Sequence, residues 1–174
     1  MRRADKVPAM LAALALATCA AAPLQAQDYP TRPITLVVPY AAGGGNDAMA
    51  RIVADRMSKT LGQQIVIENR GGAGGTIATR AVAKSPADGY TLVIGGTGTL
   101  AVNPTLYANA GYDPRKDFAP VGLIGTSALV LVVHPSVPAK DIKELIAYAK
   151  ANPRKLNYAS GGVGSTSHVA GELF

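Results

Sequence analysis

The chain has 174 residues, with 17 Lys and Arg against 11 Asp and Glu, a formal charge of +6, and 48% hydrophobic residues. That balance excludes a disordered chain. One Cys and two His exclude a disulfide framework and any cysteine- or histidine-based zinc cage.

The first residues carry much of the positive charge. Arg2, Arg3 and Lys6 precede an apolar stretch over 7–17, too short to span a bilayer as a stable helix. Small residues then lead to Leu24-Gln25-Ala26 ahead of the polar Gln27-Asp28. This is the n-region, h-region and cleavage site of a secretory signal peptide over 1–26, and export to the periplasm is expected. Leu16-Ala17-Thr18-Cys19 resembles a lipobox, but Thr18 stands where that motif wants Gly, Ala or Ser, so anchoring through Cys19 is the lesser alternative. Arg2-Arg3 lacks the flanking residues of a twin-arginine signal. Cleavage after Ala26 would remove three basic residues and one acidic one. The mild excess that remains, with no basic cluster, gives no case for nucleic acid.

Ile34–Val38 is a β-branched run expected as a strand buried on both faces. It ends at Pro39-Tyr40-Ala41-Ala42 and Gly43-Gly44-Gly45. Asn46 and Asp47 are good N-caps for a helix to about Leu61, with Met49, Ile52, Val53, Met57 and Leu61 along one face and Gly62 as its stop. A second strand is expected over 64–68. Gly71–Gly75 then opens a helix from about Thr76 to Ser85, and Asp88-Gly89 turns into a third strand, 90–94, ending at Gly95–Thr99. This β-α-β-α-β alternation predicts a parallel sheet with helices on both faces, and ligands in such sheets bind beyond the carboxyl ends of the strands, where all three glycine loops lie.

The stretch that follows the Gly95–Thr99 loop, through Asn103-Pro104, Tyr107 and Asp113-Pro114, is less regular. The apolar run 121–133, interrupted by Gly125-Thr126-Ser127, reads as two consecutive strands. Asp141 with Glu144 resembles a capping box ahead of a helix that ends at Asn152-Pro153. A short strand is expected over 156–159, then a further glycine loop, Ser160–Thr166, leading into a helix. The chain stops inside that helix, as a fragment would. The expected organisation is a signal peptide over 1–26, a first α/β domain over 27–124 and the start of a second α/β domain, incomplete here, over 125–174.

Three chemistries use glycine loops at helix starts. Gly43–Ala48 fits G-x-G-x-x-A, and Glu68 imitates a ribose-binding acid, but four residues separate Val38 from Gly43 where a dinucleotide fold wants the glycine at once. Gly161–Ser165 lacks the Gly-Lys-Ser/Thr ending of a phosphate loop. The third use is capture of a small anion: a helix N-terminus presents unpaired N–H groups and about half a positive charge, enough for a carboxylate. Two such starts, at Gly43–Asp47 and Gly164–His168, would hold one ligand if they face each other across a cleft. The alternative is that both are ordinary turns, with Asp47 and Ser165 merely capping helices. Ser160 and Ser165 keep an exported serine hydrolase open as a rival, although Ser-Gly-Gly lacks the G-x-S-x-G elbow. His134 is read as structural.

The chain resembles the Bug-type receptors of tripartite tricarboxylate transporters. The resemblance is carried by Tyr29–Ile34, Pro39–Gly44 with Asp47 and Ala50-Arg51, Glu68–Gly75, Ala87–Leu92, Asn103-Pro104, Tyr112–Pro114, Leu145–Lys150, Leu156–Tyr158 and Ser160-Gly161 with Gly164-Ser165 and His168. It implies a two-domain, periplasmic-binding-protein-like α/β fold closing on a small organic carboxylate, with no catalysis, cofactor or metal. It also implies roughly another domain's worth of chain. Carried over residue by residue, the ligand would meet Tyr40, Ala41, Ala42, Gly43, Gly44, Asn46 and Asp47 after the first strand, and Gly161, Gly164, Ser165, Thr166 and His168 in the second domain. Gly96, Thr97 and Thr99 would line the cleft. Expected partners are the carboxylate (a di- or tricarboxylate, an aromatic acid or an amino acid) and the transporter's membrane subunits; a monomer is expected. Tyr40 stands where the family often has Phe, and Ala41-Ala42 where a bulkier residue or Pro is common, so ligand choice stays open.

Overall fold

Ile34–Val38 forms the central strand, β1, of the computed structural model, which describes residues 28–174. The expected signal peptide and Cys19 lie outside the described residues. β1 pairs in parallel with β2 (Ile65–Asn69) on one side, from Ile34 opposite Ile65 to Val38 opposite Asn69. On its other side it pairs in parallel with β3 (Thr91–Val93), Thr35 opposite Thr91. Parallel neighbours require crossovers. These contain α1 (Gly45–Leu61) and, after a 3-10 turn over Ala73–Gly75, α2 (Thr76–Ala83).

The order β2-β1-β3 means that the chain leaves β1 in one direction and returns on its other side. The crevice beyond the carboxyl ends of β1 and β3 is therefore the topological switch point, where open α/β sheets bind ligands. Ile34, Leu36 and Val38 share one pleat face and form a buried cluster with Ala50 and Ala54 of α1, Ile65 and Ile94. Val37, on the opposite pleat, is buried as well, and α2 packs against β1 and β3. Burial on both faces explains why apolar residues occupy both pleats of β1.

The elements depart from the sequence pattern in several places. In α1 the buried stripe is Ala50 and Ala54, continued by the partly buried Met57 and Leu61; Ile52 is 69% exposed. Ile52 lies two residues from Ala50, on the far side of a 3.6-residue turn, and the small alanines let the helix sit close to the sheet. Gly98–Val102, expected to be irregular, winds as a π-helical turn that runs directly into α3 (Asn103–Leu106).

The expected strands over 121–133 and 156–159 are not strands. Both segments run without regular structure, and Val121, Leu123, Val130 and Val132 are at least 78% exposed. Apolar periodicity marks a segment fit for a sheet, but a strand exists only through a hydrogen-bonded neighbour, and no described segment pairs with either. Two helices complete the described chain, α4 (Ile142–Ala151) and α5 (Thr166–Leu173). Asp141 caps α4 as expected, its Oδ1 accepting the Glu144 N–H at 2.9 Å, while the Glu144 carboxylate accepts the Lys140 N–H at 2.7 Å.

Ile34 is 1% exposed at the centre of the main cluster. Ile34→Ala is expected to destabilise the chain by about 2–5 kcal/mol through lost burial and a residual cavity, read as a lower urea midpoint at unchanged m-value.

Candidate functional site

The loop after β1 ends in a helix start without a side-chain cap. Its N-cap is Gly44, not the expected Asn46 or Asp47, which both sit in the first turn of α1. Among the described residues no acceptor reaches the N–H groups of Gly44, Gly45 and Asn46. Asp47 instead turns back under the loop. Its Oδ2 accepts the Gly43 N–H at 2.8 Å and Arg51 Nε at 3.0 Å, while Oδ1 accepts Asn69 Nδ2 at 3.0 Å.

The Asp47 side chain is only 4% exposed, yet its pKa falls to about 2, because the Arg51, Gly43 and Asn69 hydrogen bonds outweigh the cost of burial. Arg51 is raised by the same partner. The carboxylate is thus ionised, neutralised and fully engaged within the protein, leaving the helix start with its own positive pole.

The glycine loops converge on this edge of the sheet. Gly71 lies against the Tyr40–Ala41 backbone, and Gly75 against Pro39 and Thr99. A Cβ on Gly74 would overlap the Val163 carbonyl oxygen, and one on Gly98 would lie 2.6 Å from the Gly164 carbonyl oxygen. Asn103, wholly buried, donates from Nδ2 to the Gly74 carbonyl at 2.9 Å and presses its Oδ1 against Gly164. The Tyr107 hydroxyl donates to the Val163 carbonyl at 2.8 Å. The loop before α5 is therefore docked on the loops after β2 and β3.

The expected site residues divide into two groups. Ala41, Ala42, Gly43, Gly44, Asn46, Gly96, Thr97, Gly161 and Thr166 are exposed on these loops, and Tyr40 and His168 are half-buried. Asp47, Thr99, Gly164 and Ser165 are buried and used in construction. Thr99 Oγ1 accepts the Gly96 N–H at 3.1 Å, and the Thr99 carbonyl accepts the Tyr112 hydroxyl. Ser165 caps α5, its Oγ accepting the His168 backbone N–H at 3.2 Å.

The His168 ring points elsewhere: Nε2 lies 4.0 Å from Glu172, which also accepts the Tyr158 hydroxyl at 2.5 Å. No Ser165–His168 side-chain bond exists, so the pairing a serine nucleophile needs is not built here. Glu68, the imitation ribose acid, is paired with Arg70 at 2.6 Å. Four residues that sequence reasoning left without a role, Arg51, Asn69, Asn103 and Tyr107, hold the loops in place. A polar residue at the last position of a strand or the first of a helix, beside a glycine loop, was the available signal for Asn69 and Asn103.

A parallel sheet with its glycine loops gathered at the switch point is the architecture of periplasmic binding proteins. A model described as the tripartite tricarboxylate transporter family receptor, TctC, matches residues 49–174, and the chain belongs to this family. It is 43% identical over 155 residues to protein BugT of Bordetella pertussis, covering 88% of this chain and 48% of BugT. It resembles the structure of MatC from Rhodopseudomonas palustris with bound malate at a TM-score of 0.79 and 41% identity, covering 83% of this chain and 49% of that one. An R. palustris protein with adipate matches at a TM-score of 0.74 and 44% identity, covering 84% and 49%. The chain spans about half the length of the relatives it matches. The family model is that of a transporter receptor, and the structure of the periplasmic binding protein BugD also matches, at a TM-score of 0.74 and 42% identity, covering 83% of this chain and 48% of that one.

Gly164 has φ +86° and no room for a methyl group beside Asn103, whereas Gly45 has open space. Gly164→Ala is expected to cost about 2 kcal/mol or more in thermal unfolding, from left-handed strain plus overlap, and Gly45→Ala to be near neutral. Asp47 gives a pH signature. Because its folded pKa is depressed, its ionised form contributes stability above its unfolded value near 3.9, and that contribution is lost as pH falls toward about 2. Denaturant titrations are expected to show wild type more stable than Asp47→Asn above about pH 4, with the gap closing near pH 2.

Proposed function

We propose that this chain is the receptor part of an exported uptake system, which captures a small organic carboxylate between two α/β domains and hands it to the membrane subunits of a tripartite transporter. The first domain would comprise residues 27–124 and the second would begin at 125, with residues 1–26 as the export signal. The observation that carries the reading is the convergence of an uncapped helix start, α1, with the loops after β2 and β3 and the loop before α5. Backbone N–H groups of Gly44, Gly45 and Asn46 would take one carboxylate, with Tyr40–Gly43, Gly96, Thr97, Gly161, Thr166 and His168 lining the remaining surface. Asp47, Thr99, Gly164 and Ser165 would shape the site from beneath. Relatives solved with malate and adipate support a carboxylate as the solute.

Thermal-shift screening of the full-length chain against malate, adipate, tricarboxylates, aromatic acids and amino acids tests the reading. A ligand at 100 times its Kd is expected to stabilise by about 2.7 kcal/mol. No stabilisation by any carboxylate would overturn it. Ester or amide turnover abolished by Ser165→Ala would establish the hydrolase instead.

A further inference from the structure

We propose that Asn69 is a positioning residue of the carboxylate site: its one carboxamide fixes both ends of the loop after β1 without touching the ligand. The proposal rests on the receptor reading above. Asn69 Nδ2 donates to the Tyr40 carbonyl at 3.3 Å, where the loop begins, and to Asp47 Oδ1 at 3.0 Å, where it has become helix. Asp47 in turn holds the middle of the loop through the Gly43 N–H, and Arg51 Nη2 reaches Asn69 Oδ1 at 3.5 Å. Asn69 itself cannot drift. It is the last residue of β2, opposite Val38, and the next N–H, of Arg70, donates to the Val38 carbonyl at 2.9 Å.

The chemistry of the loop explains why this matters. A loop that receives an anion must offer N–H groups and turn its carbonyl oxygens away. Asn69 engages the Tyr40 carbonyl, while the N–H groups of Gly44 to Asn46 have no acceptor among the described residues. The same carboxamide donates to Asp47 without adding charge, so one guanidinium, Arg51, suffices to neutralise the cluster. The other groups around it are the half-buried Tyr40 phenol and the Glu68–Arg70 pair that flanks Asn69 in the chain. Aspartate at 69 would supply no donor at neutral pH and would face Asp47; alanine would release both partners.

The test uses Asn69→Ala and Asn69→Asp in the full chain. Three quantities are read: calorimetric affinity for malate and adipate, hydrogen-exchange protection of the Gly43 N–H without ligand, and the melting temperature. Asn69→Ala is expected to lower both affinity and Gly43 protection about tenfold, the scale of one hydrogen bond to a charged group, with a smaller fall in melting temperature than Ile34→Ala. Asn69→Asp is expected to show the same losses at pH 8 and to recover toward pH 5.5, as one of two facing carboxyl groups takes up a proton and becomes a donor. A packing role alone would give no such recovery.

Unchanged affinity and protection in both variants would overturn the proposal. So would lost affinity with intact loop protection, which would make Asn69 a ligand contact. If wild type binds neither acid nor any other carboxylate, the receptor reading fails. A fall in Gly43 protection would then mark Asn69 as loop architecture alone, which also overturns its role in binding.

Discussion

Where the loop after β2 meets the peptide linking Val163 to Gly164, two main chains lie too close for a methyl group to stand between them. The rest of the molecule is arranged around that approach. It brings a segment ninety residues downstream against the carboxyl edge of the three-stranded sheet, and Asn103 and Tyr107 secure it from the side. Close backbone packing of this kind is stiff, because it leaves no side-chain rotamers to rearrange. The start of α5 is held by the loops of the sheet itself, so its orientation is inherited from β2 and β3.

The two helix starts are finished differently, and the difference follows from their neighbours. At α5 a serine caps the helix and consumes one of its donors. At α1 the cap is a glycine, and the Asp47 carboxylate is drawn beneath the loop by an arginine one turn further on. Burying an ionised group is costly unless it is paired and hydrogen-bonded. Here three donors converge on Asp47, which explains how a buried acid can sit beneath an uncapped helix start.

Much of this was legible in the residues. Short runs rich in β-branched residues, alternating with segments of helical periodicity, gave the three strands, their parallel orientation and the edge at which the loops meet. The Asp141 cap was readable because a capping pattern is local. What could not be read depended on partners distant in sequence. Residues 121–133 have the composition of strands, but pairing is a property of two segments. Ile52 has the apolar character of a core residue but not the angular position of one. Their place beside glycine loops marks Asn69 and Asn103 as polar residues at element ends, but their partners Tyr40, Asp47, Gly74 and Gly164 are brought to them only by the fold.

The neutral pairing of Asp47 with Arg51 has a kinetic consequence. An anion approaching the α1 start meets backbone dipoles and no unpaired cation from this cluster. The field of a dipole falls off faster with distance than that of a charge, so attraction begins only at close range. Encounter there would be governed by diffusion and shape, with little long-range electrostatic steering. Its rate would change little with ionic strength, since N–H groups neither titrate nor gather a counterion cloud. A solute held in this way is chosen by the fit of its oxygens to fixed donors, and sulfate or chloride would gain little advantage from charge alone.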